Sequence, residues 1–268
     1  MRAEAHAAPA APALLRKARA VWRLACVLGQ GLSGLLICTL VFPFLKAPQR
    51  MQHVGRWSAR MLSALGLRLE AQGSPRGGPV LFCANHISWL DILAINAVYP
   101  ARFVSKADVR HWPVLGWMVA CGGTLFIERE RKRDALRVVH QVAAALKAGE
   151  TLAVFPEGTT SDGRGLLPFH ANLLQAAIAT ETPVQPVALR YEDACHTVSL
   201  AAAYIGDTTL ANSLWAVVMA DKLRVCVRIL PAEATRHLDR RALAARLEAE
   251  IARALGLIDS TASEPVGS

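Results

Sequence analysis

The sequence predicts an α/β fold, a central mixed sheet covered by helices, preceded by an N-terminal membrane-associated helical segment. After residue 67, short apolar runs typical of strands alternate with longer runs whose apolar residues recur at helical spacing. Before residue 67, the uncharged stretch 24–45 is long enough to cross a bilayer as a helix. We divide the chain into an N-terminus expected to be disordered, a membrane-associated segment, a globular domain and a tail, at residues 1–20, 21–66, 67–256 and 257–268.

Composition narrows the possible partners. The chain has 268 residues, of which 53% are apolar, and a formal net charge of +9. A basic, apolar chain suits an anionic membrane surface or a nucleic acid. The basic residues are scattered and border apolar runs instead of forming the basic stripe of a nucleic-acid binder, so we expect a membrane and no nucleic acid. The cysteines lack C-x-x-C spacing and no cluster of metal ligands is visible, so we expect no metal site.

Basic residues lie on both sides of the apolar stretch 24–45. Because Lys/Arg-rich flanks favour the cytoplasmic side, this pattern favours a re-entrant hairpin or a tilted helix, while a spanning helix and a buried core helix stay open. The glycines at 29, 31 and 34 are candidates for a bend.

Residues 51–65 predict a basic amphipathic helix that lies in the membrane interface or caps the globular core.

The remaining elements follow from periodicity. Alternation or short apolar runs predict strands, at 67–70, 80–84, 102–104, 124–127, 151–155, 184–189 and 223–229. Helical spacing and helix-ending residues such as Gly149 predict helices, at 88–98, 135–148, 169–179 and 239–255.

Polar residues follow two of the predicted strands directly. His86 and Asp91 come after strand 80–84, and residues 156–163 come after strand 151–155. Sites in α/β sheets gather where strands end, and histidine is the natural general base near neutral pH. Inside one helix His86 and Asp91 would point about 140° apart. The spacing therefore predicts His86 before the helix and Asp91 in its first turn, where they can meet.

A structural reading of the same residues stays open. Ser88-x-x-Asp91 also fits a capping box, in which Asp91 would only cap the helix. Residues alone do not decide between capping and catalysis.

The spacing His86-x4-Asp91 closely resembles the signature of glycerolipid acyltransferases of the PlsC type. Three further blocks of that family recur in order over about residues 80–190, at 126–129, 155–159 and 184–187. The resemblance implies that 67–256 is an acyltransferase domain that moves an acyl chain directly from a thioester to a hydroxyl. His86 would take the proton of the acceptor hydroxyl and Asp91 would orient His86. The family's substrate-binding positions correspond here to Lys106, Arg129, Glu157, Gly158, Thr159 and Thr160.

The resemblance also implies the partners of the reaction. The donor would be acyl-CoA or acyl carrier protein, no cofactor would be needed, and the enzyme would work on the cytoplasmic face of a bacterial inner membrane. Phosphate-binding relatives usually carry arginine at the position of Thr160, where this chain resembles a branch that acylates lyso-ornithine lipids. We expect lysophosphatidic acid (1-acyl-sn-glycerol-3-phosphate) as the acceptor, with lyso-ornithine lipid as the alternative and a non-catalytic lipid-binding protein as the remote one.

Overall fold

The computed structural model describes residues 13–111, 113–127 and 132–258, and only the backbone at 106, 108, 111, 127 and 132–135. Within these residues the chain forms a seven-stranded sheet in the order β1-β7-β6-β2-β5-β3-β4. The strands are β1 (Arg68–Gln72), β2 (Leu81–Ala84), β3 (Arg102–Lys106), β4 (Leu125–Ile127), β5 (Leu152–Val154), β6 (Val184–Glu192) and β7 (Arg224–Ile229). Each predicted strand is present, and the mixed sheet is confirmed because β6 and β7 are antiparallel while the other neighbouring pairs are parallel.

Strand β2 lies between β5 and β6 and is parallel to both. Parallel strands place their carboxyl ends, and the loops that follow them, at the same edge of the sheet. The loops after β2 and β5, which carry the predicted site, are therefore neighbours.

Helices cover both faces of the sheet. They are α1 (Ala13–Leu36), α2 (Ala47–Leu65), α3 (Leu90–Val98), α4 (Leu115–Cys121), α5 (Lys132–Lys147), α6 (Leu174–Ala179), α7 (Leu210–Met219) and α8 (Arg240–Ala254). Alternate side chains of β2 point to opposite faces of the sheet, because a strand has a period of two residues. Phe82 and Ala84 pack with α2, α3 and α7, whereas Leu81 and Cys83 pack with α5, α6 and α8.

One predicted helix begins later than expected, and two helices were missed. The helix expected at 169–179 begins only at Leu174, because the Phe169 N–H donates to the Glu248 carboxylate and the His170 N–H to the Pro156 carbonyl. The helices α4 and α7 were not predicted. Their sequences are almost uniformly apolar and carry little of the periodicity that marks an amphipathic helix.

The apolar N-terminal stretch forms a helix that begins at Ala13, earlier than the boundary expected at residue 21. It continues as a π-helical turn at Ile37–Val41 and a 3₁₀ turn at Phe42–Phe44, and then α2 returns alongside it. The three glycines that were candidates for a bend do not bend the chain, because all of them lie inside continuous α1. Gly34 has a packing role instead. A Cβ there would come within 2.6 Å of Met118 and 2.7 Å of Trp57, so this glycine allows close packing.

The two N-terminal helices form a hairpin that is attached to the globular domain at its open end. Ala20 of α1 is buried, and the Arg23 guanidinium donates to the carbonyls of Val218 and Ala220 at the end of α7, at 2.8 and 2.9 Å. Helix α2 caps the core with a buried face that includes Leu62. By length and composition Ala13–Phe44 is apolar enough to cross a membrane, and 6% of its most apolar 18-residue window is buried.

Candidate active site

The loops after β2 and β5 are joined through the backbone of His86. The His86 N–H donates to Glu157 Oε1 at 2.8 Å, and the His86 carbonyl accepts from the Ser161 N–H at 2.8 Å. The histidine is thus held from both sides by the second predicted segment.

His86 and Asp91 meet as their spacing predicts. His86 precedes α3, Asp91 lies in its first turn, and Nδ1 of His86 is 2.8 Å from Oδ2 of Asp91. The Asp91 side chain is completely buried and that of His86 is 19% exposed. Since Nδ1 faces the carboxylate, Nε2 is the ring nitrogen available to take a proton from a substrate.

Asp91 also has the structural role that the capping pattern indicates. Its Oδ2 accepts from the backbone N–H groups of Ile87 and Ser88, at 2.7 and 2.9 Å. Only half of the capping box is formed, because the buried Ser88 hydroxyl has no hydrogen-bond partner within the described part of the chain. The carboxylate therefore fixes both the entry into α3 and the ring of His86.

Tyr191, on β6, is a residue of the site that the sequence analysis missed. Its hydroxyl donates to Asp91 Oδ1 at 2.7 Å, and the side chain is 1% exposed. Burial, followed by the charge of Asp91, raises the pKa of the Tyr191 phenol well above its ordinary value, so the phenol stays protonated and donates. A tyrosine in the apolar run of β6 was a usable signal, since a buried phenol needs a partner.

The imidazole ring of His86 is held flat against Phe155. The ring centroids are 3.9 Å apart and the planes differ by 9°, while Phe155 in turn stacks on Phe103 at 5.7 Å. This packing and the Asp91 hydrogen bond fix both the plane and the rotation of the ring.

Glu157 links the two loops through a buried carboxyl group. Its Oε2 accepts from the Leu167 N–H at 3.0 Å, in addition to the His86 N–H on Oε1. Burial raises the pKa of Glu157 to about 7, although both N–H donors act in the opposite direction. Gly158 follows with φ of 73°, a left-handed conformation that favours glycine in this turn.

The other predicted substrate-binding residues differ in their position. Thr159 is exposed, whereas the Thr160 hydroxyl donates to the carbonyl of Tyr204 in the loop before α7. Lys106 ends β3 at the same sheet edge as His86, with its side chain outside the described atoms, and Arg129 lies outside the described residues.

Asn85, directly before His86, is a second residue whose role the sequence did not reveal. Its buried side chain donates to the Leu189 carbonyl at 3.0 Å and accepts from the Leu189 N–H at 2.7 Å. The amide thus extends the pairing of β2 with β6 by one residue and anchors the loop that presents His86.

The fold and the site define a class of protein, an α/β enzyme with a rigid histidine–carboxylate pair at the carboxyl edge of its sheet. The acyltransferase family model matches residues 68–190, which include the whole of this pair and the loop around Glu157. The chain is 41% identical over 196 residues to a 1-acyl-sn-glycerol-3-phosphate acyltransferase of Neisseria meningitidis, covering 71% of this chain and 76% of that one. It therefore belongs to the acyltransferase family, as its motifs predicted.

Two other relatives cover almost the whole chain. A lyso-ornithine lipid O-acyltransferase of Pseudomonas aeruginosa is 35% identical over 244 residues, which are 90% of this chain and 93% of that one. The crystal structure of PlsC from Thermotoga maritima, a 1-acyl-sn-glycerophosphate acyltransferase, matches with a TM-score of 0.66 and 21% identity over 94% and 98% of the two chains. The fold predicted from the sequence, including the N-terminal helices, is thus confirmed.

Proposed function

We propose that this protein is an O-acyltransferase that moves a fatty acyl chain from a thioester donor to the free hydroxyl of a lysolipid. The observation that carries the proposal is the His86–Asp91 pair, with a buried carboxylate on Nδ1 and a partly exposed ring that presents Nε2. The acyltransferase family and the lysolipid substrates named for its relatives support the same chemistry.

The proposed reaction needs one proton carrier. The acceptor hydroxyl oxygen attacks the thioester carbonyl while Nε2 of His86 takes the hydroxyl proton. The buried Asp91 carboxylate stabilises the positive ring that forms. When the C–S bond breaks, the leaving thiolate takes the proton from His86 and becomes the free thiol, and the product is an ester.

The identity of the acyl donor, and a reaction without metal or cofactor, are also part of the proposal. Acyl-CoA or acyl carrier protein would supply the thioester, as the resemblance implies, and no metal or cofactor is needed by this scheme. In the described residues no group of three or more potential ligand side chains is arranged for a metal ion.

We propose 1-acyl-sn-glycerol-3-phosphate as the acceptor, with Lys106 and Arg129 binding its phosphate. Lyso-ornithine lipid is a second candidate, favoured by one observation at Thr160. The Thr160 hydroxyl is used in a hydrogen bond to the Tyr204 carbonyl, so this position serves the loop structure where phosphate-binding relatives carry arginine. Arginine at 160 would remove that hydrogen bond, so Thr160→Arg would change the loop as well as the charge. We therefore test phosphate binding with Arg129→Ala.

We predict that Arg129→Ala lowers kcat/KM for 1-acyl-sn-glycerol-3-phosphate at least about tenfold, because a hydrogen bond to a charged group contributes roughly 1.5–3 kcal/mol. The measurement compares this acceptor with lyso-ornithine lipid, using one acyl donor, in the wild type and the variant. The control is Arg241→Ala, an exposed arginine of α8. A wild-type preference for lyso-ornithine lipid would overturn the phosphate acceptor and leave the acyltransferase proposal in place.

We also propose that the α1–α2 hairpin enters one leaflet from the cytoplasmic side of a bacterial inner membrane. Leucines spaced four residues apart form an exposed stripe along α1 and the π-helical turn that follows it. The stripe consists of Leu28 (74% exposed), Leu32 (58%) and Leu36 (48%) of α1 and Leu40 (61%) of the turn. Both ends of the hairpin are held by the globular domain, through Arg23 of α1 and the buried end of α2. This geometry favours a re-entrant hairpin over a helix that leaves the domain and crosses the bilayer.

We predict that Leu28→Glu weakens binding to anionic vesicles by about 10–100-fold, since burial of a leucine contributes about 1.5–3 kcal/mol. Flotation with vesicles containing an anionic phospholipid measures the effect. Leu136→Glu is the matched control, because Leu136 is 64% exposed on α5, across the sheet from α1. Unchanged flotation of Leu28→Glu would contradict insertion of this stripe. Deletion of the hairpin is less informative, because it also removes the contacts of Ala20 and Arg23 with the domain.

A further inference from the structure

We propose that Tyr191 is a positioning residue of the reaction, which acts through Asp91 to set the orientation and basicity of His86. The proposal rests on the proposed acyl transfer and adds a third member to the His86–Asp91 pair. Tyr191 is 100 residues from Asp91 along the chain, on a different element of the fold.

The two carboxylate oxygens of Asp91 have different hydrogen-bond donors. Oδ2 accepts from His86 Nδ1 and from the N–H groups of Ile87 and Ser88, whereas Oδ1 accepts from the Tyr191 hydroxyl. The three donors on Oδ2 come from three consecutive residues of the loop before α3. Tyr191 is the donor that ties the carboxylate to the sheet, so it fixes the rotation of the carboxylate about its Cβ–Cγ bond.

The position of Tyr191 is itself strongly determined. Its backbone pairs with Val225 in the antiparallel β6–β7 ladder, and its carbonyl accepts from the Ser199 N–H at 2.8 Å. The ring is fully buried in the core on the side of α2, α3 and α7. A donor held this firmly can hold Asp91, and through it the ring of His86.

The second effect of the phenol is electrostatic. A hydrogen bond to a carboxylate stabilises its charge and withdraws part of it. Without the phenol, more of the negative charge of Asp91 acts on His86 and stabilises its protonated form. His86 would then stay protonated, and unable to act as a base, up to a higher pH.

Other titratable groups surround this chain of hydrogen bonds and enter the pH profile as well. Glu157, from the loop after β5, accepts from the His86 N–H, and Cys83 of β2 lies near Glu157. Lys106 ends β3 at the same edge of the sheet. None of these groups is altered by a change at Tyr191, so a shift caused by that change reports on Asp91 and His86.

The test compares Tyr191→Phe with Tyr99→Phe in acyl transfer from pH 5 to 9. Tyr99 packs edge-on against Phe82 at 5.8 Å in the same core and lies outside the site, so its variant controls for a lost hydroxyl. We expect Tyr191→Phe to lower kcat/KM at pH 7 by about 10–100-fold, and we take this scale from the loss of partners that orient metal-bound histidines. We expect the acidic limb of the pH profile of kcat/KM to move to higher pH in Tyr191→Phe. We expect Tyr99→Phe to match the wild type.

A double-mutant cycle separates positioning from packing. If Tyr191 acts through Asp91, Tyr191→Phe has little further effect in an Asp91→Asn background. The proposal would be overturned if Tyr191→Phe lowered kcat/KM by the same factor in both backgrounds and left the pH profile unchanged. A Tyr191→Phe enzyme with wild-type kcat/KM would also overturn it.

If Tyr191→Phe does not fold, a substitution that keeps the hydroxyl can be used to measure the same effect. Incorporation of 3-fluorotyrosine at 191 retains the ring and makes the hydroxyl a stronger donor. We then expect the acidic limb to move to lower pH, and an unmoved limb would overturn the proposal. Lack of transfer by the wild type with any lysolipid would instead contradict the proposed function itself.

Discussion

His86→Ala is expected to lower kcat by at least about 10²–10⁴-fold, the usual contribution of general acid–base catalysis. The change removes the Nε2 that takes the acceptor proton and leaves the backbone contacts of residue 86 with Glu157 and Ser161 in place. The fold should therefore survive, with a local gap where the ring stacked on Phe155. Steady-state transfer by purified protein, together with its melting temperature, measures both effects.

A matched control exists elsewhere in the chain. His196 Nδ1 lies 2.9 Å from Asp193 Oδ1 in an exposed turn, so this second pair reproduces the contact without the burial of the first. His196→Ala should transfer acyl groups like the wild type. Near-normal turnover of folded His86→Ala would contradict the assignment of His86 as the base.

Asp91→Asn should cause a loss of similar size, about 10²–10⁴-fold in kcat/KM, because a neutral amide cannot stabilise a positively charged His86. The amide oxygen can take the place of Oδ2 and keep its three donors. The amide nitrogen then faces the Tyr191 hydroxyl, which must accept where it donated before. We therefore expect a folded and poorly active protein.

Asp193→Asn is the control for this change, since Asp193 forms the exposed pair with His196. Its activity should equal that of the wild type. An active Asp91→Asn enzyme would show that the carboxylate only caps α3, which is the structural alternative that its bonds to Ile87 and Ser88 also fit.

The parts of the site that the sequence predicted depend on local rules. The strands before His86 and before Glu157 are short apolar runs, and parallel strands bring their ends together. The five-residue spacing of His86 and Asp91, combined with the helical period, was enough to place one before α3 and the other in its first turn.

The parts that were missed depend on contacts between distant segments. Tyr191 reaches Asp91 from β6, and Thr160 reaches the Tyr204 carbonyl 44 residues away, so neither pairing leaves a periodic signal in the sequence. The role of Gly34 was misjudged for the same reason, because its neighbours Trp57 and Met118 come from other helices. Local patterns define elements, whereas these contacts follow from the register of the sheet and the packing of the hairpin.

Direct acyl transfer to a lysolipid with His86 as base can be followed by measuring thiol release from an acyl thioester with and without acceptor. We expect thiol release that requires the lysolipid, with one ester formed for each thiol released and no acyl group left on the protein. A burst of thiol in the absence of acceptor, with the acyl chain attached to the protein or released as free fatty acid, would contradict direct transfer to the lysolipid.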